Sequence, residues 1–243
     1  MESILASELK LRYGPVGIIF TDEKPEGAAQ FVKGKWGCVI SMLSAAAKGK
    51  TAVFDRETAG CIGGGVGLGF SDYSNFPGGI DYFLSTGRGE GFREGERYKQ
   101  TPELAAKFIN SLPKPFMEKK YLVFKPLSGI PADEKPELVV FYVNCDQLSA
   151  MTALANFDKE TNDNVVMQFS AGCHSICLIP YMAARNGSPK AVLGLLDVSA
   201  RPMVDKDLLS FTVPFEMFLN MEKNVPDSFL RHHKSWLKVK ERI

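Results

Sequence analysis

Gly37-Cys38 opens an apolar run through residue 47 that contains no Pro or Gly and closes on Lys48-Gly49. Gly172-Cys173 opens a second apolar run, which closes on Arg185-Asn186-Gly187. Small apolar residues in an unbroken run suit a helix packed closely on its neighbours. A cationic last turn followed by Gly is the usual way such a helix stops. Two buried helix-like segments, each starting at a thiol, restrict the fold more than any other feature. Each needs an apolar surface to lie on.

That surface is legible nearby. Val16–Phe20 reads as a buried strand ahead of the first Gly-Cys helix, and Glu137–Val143 reads as one in the later part of the chain. A short strand ending at Asp55 follows the first helix, and Ala191–Leu196, ahead of Asp197, follows the second. The repeated order predicts an α/β (α+β) fold. It is a single compact unit of two related halves, 13–127 and 137–223, with mixed sheets and a pseudo-twofold duplication. An amphipathic tail at 227–243 follows.

Further elements come from local signals. Residues 2–12 predict an amphipathic helix and residues 81–85 a short one. Thr101-Pro102 predicts a helix start, with the stop at about Ser111, before Pro113. Tyr121–Leu127 and Val165–Phe169 read as strands. Asp146 is the expected cap of a helix over Gln147–Ala155. A strand or short helix should follow Asp207, and a helix should run from Pro214 to about Lys223.

Gly60 to Gly69 holds six glycines in ten residues, with Cys61 among them. Such backbone either adopts conformations other residues avoid or lies very close to something else, and a loop is the expectation. The spacing is not that of a dinucleotide fingerprint, and no Gly-Lys-Ser/Thr follows to make a phosphate loop. The second half has no partner for Cys61; the comparable place falls at Asp197 to Ser199.

The candidate chemistry rests on thiols. The chain has 243 residues, five of them Cys, and a net charge of +1. The balance gives no reason to expect nucleic acid. No 18-residue apolar run predicts a membrane span. Met1–Lys10 lacks the basic start and apolar core of a signal peptide. An odd cysteine count then points to reduced thiols and a cytoplasmic location.

Cys38 and Cys173 at helix starts should have lowered thiol pKa values. With Cys61 they form a candidate ligand set for a [4Fe–4S] cluster with one iron open, or for a metal ion. Gly63 and Gly64 would present backbone amides to the bound group. A small-molecule ligand and a homo-oligomer are both compatible with this set, and an enzyme is one possibility among others.

Other roles stay open. Cys145 and Cys177 read as small hydrophobes, although Cys173 and Cys177 are spaced to share a helix face. His174 adjoins Cys173, but neighbouring helical residues point about 100° apart, which works against a Cys–His pair. His232 and His233 read as solvated. Arg88, Glu90, Arg93 and Glu96 read as surface charges, and Arg201 is a candidate to hold an anionic ligand. The alternatives to a cluster protein are a non-catalytic ligand-binding or oligomerising domain with the cysteines as core, and a cysteine nucleophile without metal.

Several short motifs, in their order, resemble one family. They are the Gly14-Pro15-Val16-Gly17-Ile18 strand, Gly37-Cys38, Gly60-Cys61-Ile62-Gly63-Gly64 with Gly67-Leu68-Gly69, the Tyr98–Glu103 helix start and Phe169–Cys173. The chain resembles the uncharacterised prokaryotic family domain of unknown function 169 over nearly its whole length. The resemblance implies a soluble bacterial or archaeal protein and carries no activity to transfer.

Overall fold

The computed structural model describes residues 1–87, 94–113 and 117–243. Among these, one seven-stranded sheet runs through both halves of the chain. Its strands are β1 (Val16–Thr21), β2 (Ala52–Phe54), β3 (Tyr121–Pro126), β4 (Leu138–Val143), β5 (Val165–Val166), β6 (Ala191–Gly194) and β7 (Leu209–Pro214). Their spatial order is β2-β3-β1-β4-β7-β6-β5. Neighbours are antiparallel except β5 and β6, so the sheet is mixed. The antiparallel β1–β4 pair, with Val16 opposite Val140, is its centre. Outward from that seam the order is mirrored: β1, β3, β2 on one side and β4, β7, β6 on the other.

The helices are α1 (Ile4–Glu8), α2 (Val39–Ala47), α3 (Ile62–Gly67), α4 (Ile80–Phe83), α5 (Pro102–Ser111), α6 (Cys145–Ala155), α7 (Ile179–Arg185), α8 (Phe215–Asn224), α9 (Phe229–His232) and α10 (Lys234–Lys240). Among the described residues no helix is long and apolar enough to cross a membrane. The sheet separates two cores, because successive strand residues point to opposite faces. Ile19, Val123, Val139, Phe141, Phe211 and Val213 face α1, α6 and α8 to α10. Ile18, Leu122, Phe124, Val140 and Tyr142 face α2 and the helical stretch 172–185.

Local chemistry explains most boundaries. Thr101 accepts from the Leu104 amide at 3.3 Å, and Pro102 starts α5 where its missing N–H costs nothing. Cys38 is the extended cap residue of α2, and Gly49, at φ +101°, stops the chain in a conformation that suits Gly.

Some expectations fail in detail. Asn144, not Asp146, caps α6: its side chain accepts from Gln147, whose own side chain accepts the Asn144 amide. β5 ends at Val166 because Met167 and Phe169 turn out to solvent, 66% and 38% exposed. α1 stops at Glu8, two residues before Lys10 at φ 47°. The tail breaks into α9 and α10 at His233, whose ring accepts from the Ser235 amide. The Gly-rich stretch expected as a loop is the helix α3. Arg88, Glu90 and Arg93 lie outside the described residues.

Candidate functional site

Glycines bring the cysteines together. A Cβ at Gly37 would sit 2.3 Å from the Phe31 ring, and one at Gly60 would sit 2.5 Å from the Gly37 carbonyl oxygen. The two backbones therefore touch, and the residues that follow them, Cys38 and Cys61, reach one wall. A Cβ at Gly67 would lie 2.7 Å from the Cβ of Cys173 and 2.8 Å from its backbone carbon. Only Gly there lets α3 pack this closely on the second Gly-Cys helix. Gly172, in turn, lies against Ile40 in the first turn of α2: an added Cβ would be 3.2 Å from its Cγ1. The two Gly-Cys helix starts meet at this point.

Cys38, Cys61 and Cys173 all line one cavity of about 1210 Å³. That is larger than the roughly 300–1,000 Å³ of ordinary small-molecule sites. Gly63 and Gly64 line it as well. Cys61 is the cap of α3, and its sulfur accepts from the Gly64 amide at 3.2 Å. The Cys173 thiol donates to the Gly63 carbonyl at 3.0 Å. The two sulfurs thus bracket one peptide unit, which holds them within roughly 8.5 Å of each other. Among the described residues, no three His, Cys, Asp or Glu side chains are gathered closely enough to hold a single metal ion.

The thiol electrostatics correct one expectation. Cys173 is buried, and desolvation pushes its pKa well above the usual thiol value; Cys61 and Asp197 add to the rise. Cys61 is also raised, by desolvation first, against the lowering effect of the Gly64 amide. Burial outweighs the helix-start effect because the residue is removed from water almost completely. Cys173 is, moreover, already inside the helical stretch 172–185.

Beside the thiols stands a pair the sequence reading did not identify. Tyr73 Oη lies 3.2 Å from His174 Nε2, with the rings edge to face. Desolvation raises the Tyr73 pKa, and Cys173 and Cys61 raise it further. His174 is 1% exposed, and burial lowers its pKa to about 4, so it is neutral at pH 7. Its Nδ1 is buried without a hydrogen-bond partner, a situation that costs about 1–3 kcal/mol. Residues His174–Leu178 form a π-turn, a distortion found frequently at functional sites.

Asp197 lines the same cavity as the thiols. It accepts from the Gly172 amide at 3.1 Å, the Tyr98 hydroxyl at 3.0 Å and the Ser199 amide at 2.9 Å. It ties the helix start to the segment carrying Tyr98. Two rows of rings line the cavity beyond the thiols. Phe76 packs on Phe83 at 4.9 Å between centroids and Phe169 on Tyr98 at 5.1 Å, with Phe108 next to Phe169. The density of aromatics and Gly between residues 71 and 98 marked the segment holding Phe76, Phe83 and Tyr98 but did not single out these rings, and nothing local marked Phe108 or Phe169.

The remaining candidates fall elsewhere. Cys177 is buried in the core, its thiol raised by desolvation, and does not line the cavity with Cys173. Cys145 is exposed at the first position of α6, not buried as expected. Arg201 does not line the cavity: its guanidinium donates to the carbonyls of Asp205, Lys206 and Leu208 and closes the loop before β7. His232 and His233 are exposed. Glu96 is exposed, as a surface charge should be, yet it lines the cavity.

A family model described as DUF169, uncharacterised ArCR, matches residues 4–224. No curated protein and no solved structure matches the chain.

Proposed function

The chain belongs to the DUF169 family, and we propose that its large cavity is a small-molecule site with an iron–sulfur cluster held at the inner wall by Cys38, Cys61 and Cys173. The observation that carries this reading is that three thiols, from three separate segments of the chain, line one cavity. Burial and mutual repulsion hold Cys61 and Cys173 in the thiol form, and Asp197 adds to the repulsion. Thiolates at this wall therefore need a cationic centre. A single ion suits the wall poorly, since among the described residues no compact ligand group is preset for one. A polynuclear cluster spreads its thiolate ligands more widely.

When bound, such a cluster supplies an open iron for a sulfur- or oxygen-containing small molecule. The chain's own contribution is separable. Gly63 keeps side-chain bulk away from Tyr73 Oη and Cys61 Sγ, and Gly64 lets α3 pack on Ala59 and Val39. Tyr73 keeps its phenolic proton next to the thiols and is oriented by neutral His174. The mirrored strand order supports reading the two halves as a duplication, with Asp197 standing in the second copy where Cys61 stands in the first.

Anaerobic expression followed by iron and sulfide assay tests the reading. The expected result is a coloured protein with about four irons and four sulfides per chain, lost in Cys38→Ala, Cys61→Ala and Cys173→Ala but not in Cys145→Ala. A colourless, iron-free protein after anaerobic reconstitution would overturn it.

A second reading, a non-catalytic ligand-binding domain with the cysteines as wall residues, is favoured by one observation. The Cys173 thiol is already satisfied by the Gly63 carbonyl. Under it, Cys61 and Cys173 resist alkylation in metal-free native protein while exposed Cys145 is labelled rapidly.

A further inference from the structure

The His174 ring is 1% exposed, its Nε2 lies 3.2 Å from Tyr73 Oη, and its Nδ1 is buried with no partner. Those three facts choose a tautomer. If the phenol donated to Nε2, the imidazole proton would sit on Nδ1, as a buried N–H with no acceptor. Orphaned buried N–H groups are rare, and unsatisfied acceptors less so. The tautomer of an imidazole is set by the bond that its other nitrogen makes. The proton therefore belongs on Nε2, and His174 donates to the Tyr73 oxygen.

Tyr73 is then left with a proton to give. Among the described residues its hydroxyl has His174 as its one hydrogen-bond partner. With Nε2–H on one lone pair of the oxygen, the phenolic proton turns away from the imidazole. Tyr73 lines the cavity, so that proton is offered to an occupant. Desolvation first, then Cys173 and Cys61, keep the phenol protonated. The hydroxyl stands beside the thiol wall: a Cβ built on Gly63 would have Tyr73 Oη at 3.7 Å and Cys61 Sγ at 4.0 Å. Tyr73 also heads one row of rings. Phe76 is 6.4 Å from it between centroids, and Phe83 is 4.9 Å from Phe76.

We propose that the Tyr73 hydroxyl donates to a carbonyl oxygen of a flat, largely apolar ligand in the cavity, with His174 the positioning residue that turns the proton toward it. A carbonyl accepts without bringing a proton that itself needs a partner, and the ring row covers an apolar body. A site built around such a donor rejects the analogue that lacks the acceptor, because the donor is then left unpaired. This deepens the reading of the cavity as a small-molecule site; it rests on that reading and not on the cluster.

Two measurements test it. The first needs no ligand: long-range proton–nitrogen correlation NMR of the full chain carrying isotope-labelled histidine, with His174 assigned by its loss in His174→Gln. The expected pattern is a protonated Nε2 and a bare Nδ1. A protonated Nδ1 with a bare Nε2 would overturn the proposal and leave the cavity reading intact. The second is equilibrium dialysis against fluorenone and fluorene, which share a shape and differ in the carbonyl. Tyr73→Phe should weaken fluorenone about tenfold and leave fluorene unchanged. His174→Gln, whose amide can donate from the place of Nε2, should keep most of the fluorenone affinity. The infrared carbonyl stretch of bound fluorenone should lie lower in the parent than in Tyr73→Phe. Equal losses for the two probes, or an unshifted stretch, would overturn the Tyr73 donor alone. Binding of neither probe to the parent would overturn the small-molecule reading and this proposal with it.

Discussion

The two faces of the single sheet are finished in opposite ways. On one, α1, α6 and α8 to α10 cover strand side chains with large hydrophobes: Phe141 and Phe211 are fully buried and Trp236 is 6% exposed. Its accessory bonds serve to close it. Glu222 caps the start of α1 through the Ile4 and Leu5 amides, and Gln147 reaches the Leu9 carbonyl. On the other face, glycines replace bulk, a helix carries a π-turn, and a large cavity remains. The first face contributes stability. The second spends some of it on open aromatic surface; a buried polar atom without a partner occurs on each face, Trp236 Nε1 on the first and His174 Nδ1 on the second. The difference teaches where function should be sought: in the layer whose local rules are broken, since such departures persist only when something else requires them.

The contrast can be broken most directly by paired truncations. Phe141→Ala on the sealed face should cost about 3–5 kcal/mol in urea denaturation, because it leaves a cavity in a packed core. Phe169→Ala on the open face should cost under about 0.5 kcal/mol. Similar losses for the two would remove the distinction.

A smaller effect separates the faces by pH. His174 has its pKa lowered to about 4 from an ordinary 6.5. Between those values the unfolded chain takes up a proton that the native one refuses. Stability should therefore fall as pH drops through that window, by at most about 3 kcal/mol from this residue. His174→Gln should flatten this loss when denaturation is followed at pH 7, 6 and 5. An unchanged slope would assign the acid sensitivity to other groups.

Glycines give the smallest and most local test. At Gly67 an added Cβ meets Cys173 backbone at 2.8 Å, so Gly67→Ala should destabilise by about 1–3 kcal/mol. At Gly129 nothing lies within 4 Å, so Gly129→Ala should stay within about 0.5 kcal/mol of the parent. Thermal melts of the two variants would show whether close approach, and not mere glycine content, builds the thiol wall.

Most of the sheet and the start of α5 were legible beforehand. Val16–Phe20, Tyr121–Leu127 and Glu137–Val143 carry the β-branched and aromatic runs of buried strands, and Thr101-Pro102 carries its cap in adjacent residues. The site was legible only in part. Cys38, Cys61 and Cys173 could be singled out by their motifs. Tyr73, Asp197 and the ring rows could not, because each matters through a partner far along the chain: Tyr73 through His174, Asp197 through Gly172 and Tyr98.

The sequence by itself determined most of the strands, several helix starts and stops and the mixed α/β class, and it singled out the three thiols as candidates. These follow from side-chain periodicity and capping within a few residues. Only the tertiary structure decided that the Gly-rich stretch is a helix and that burial raises two of the thiols. It also decided that the three cysteines share one cavity walled by aromatic rings. Those outcomes depend on how closely distant backbones approach and on how much water is excluded, and neither quantity is local to any stretch of sequence.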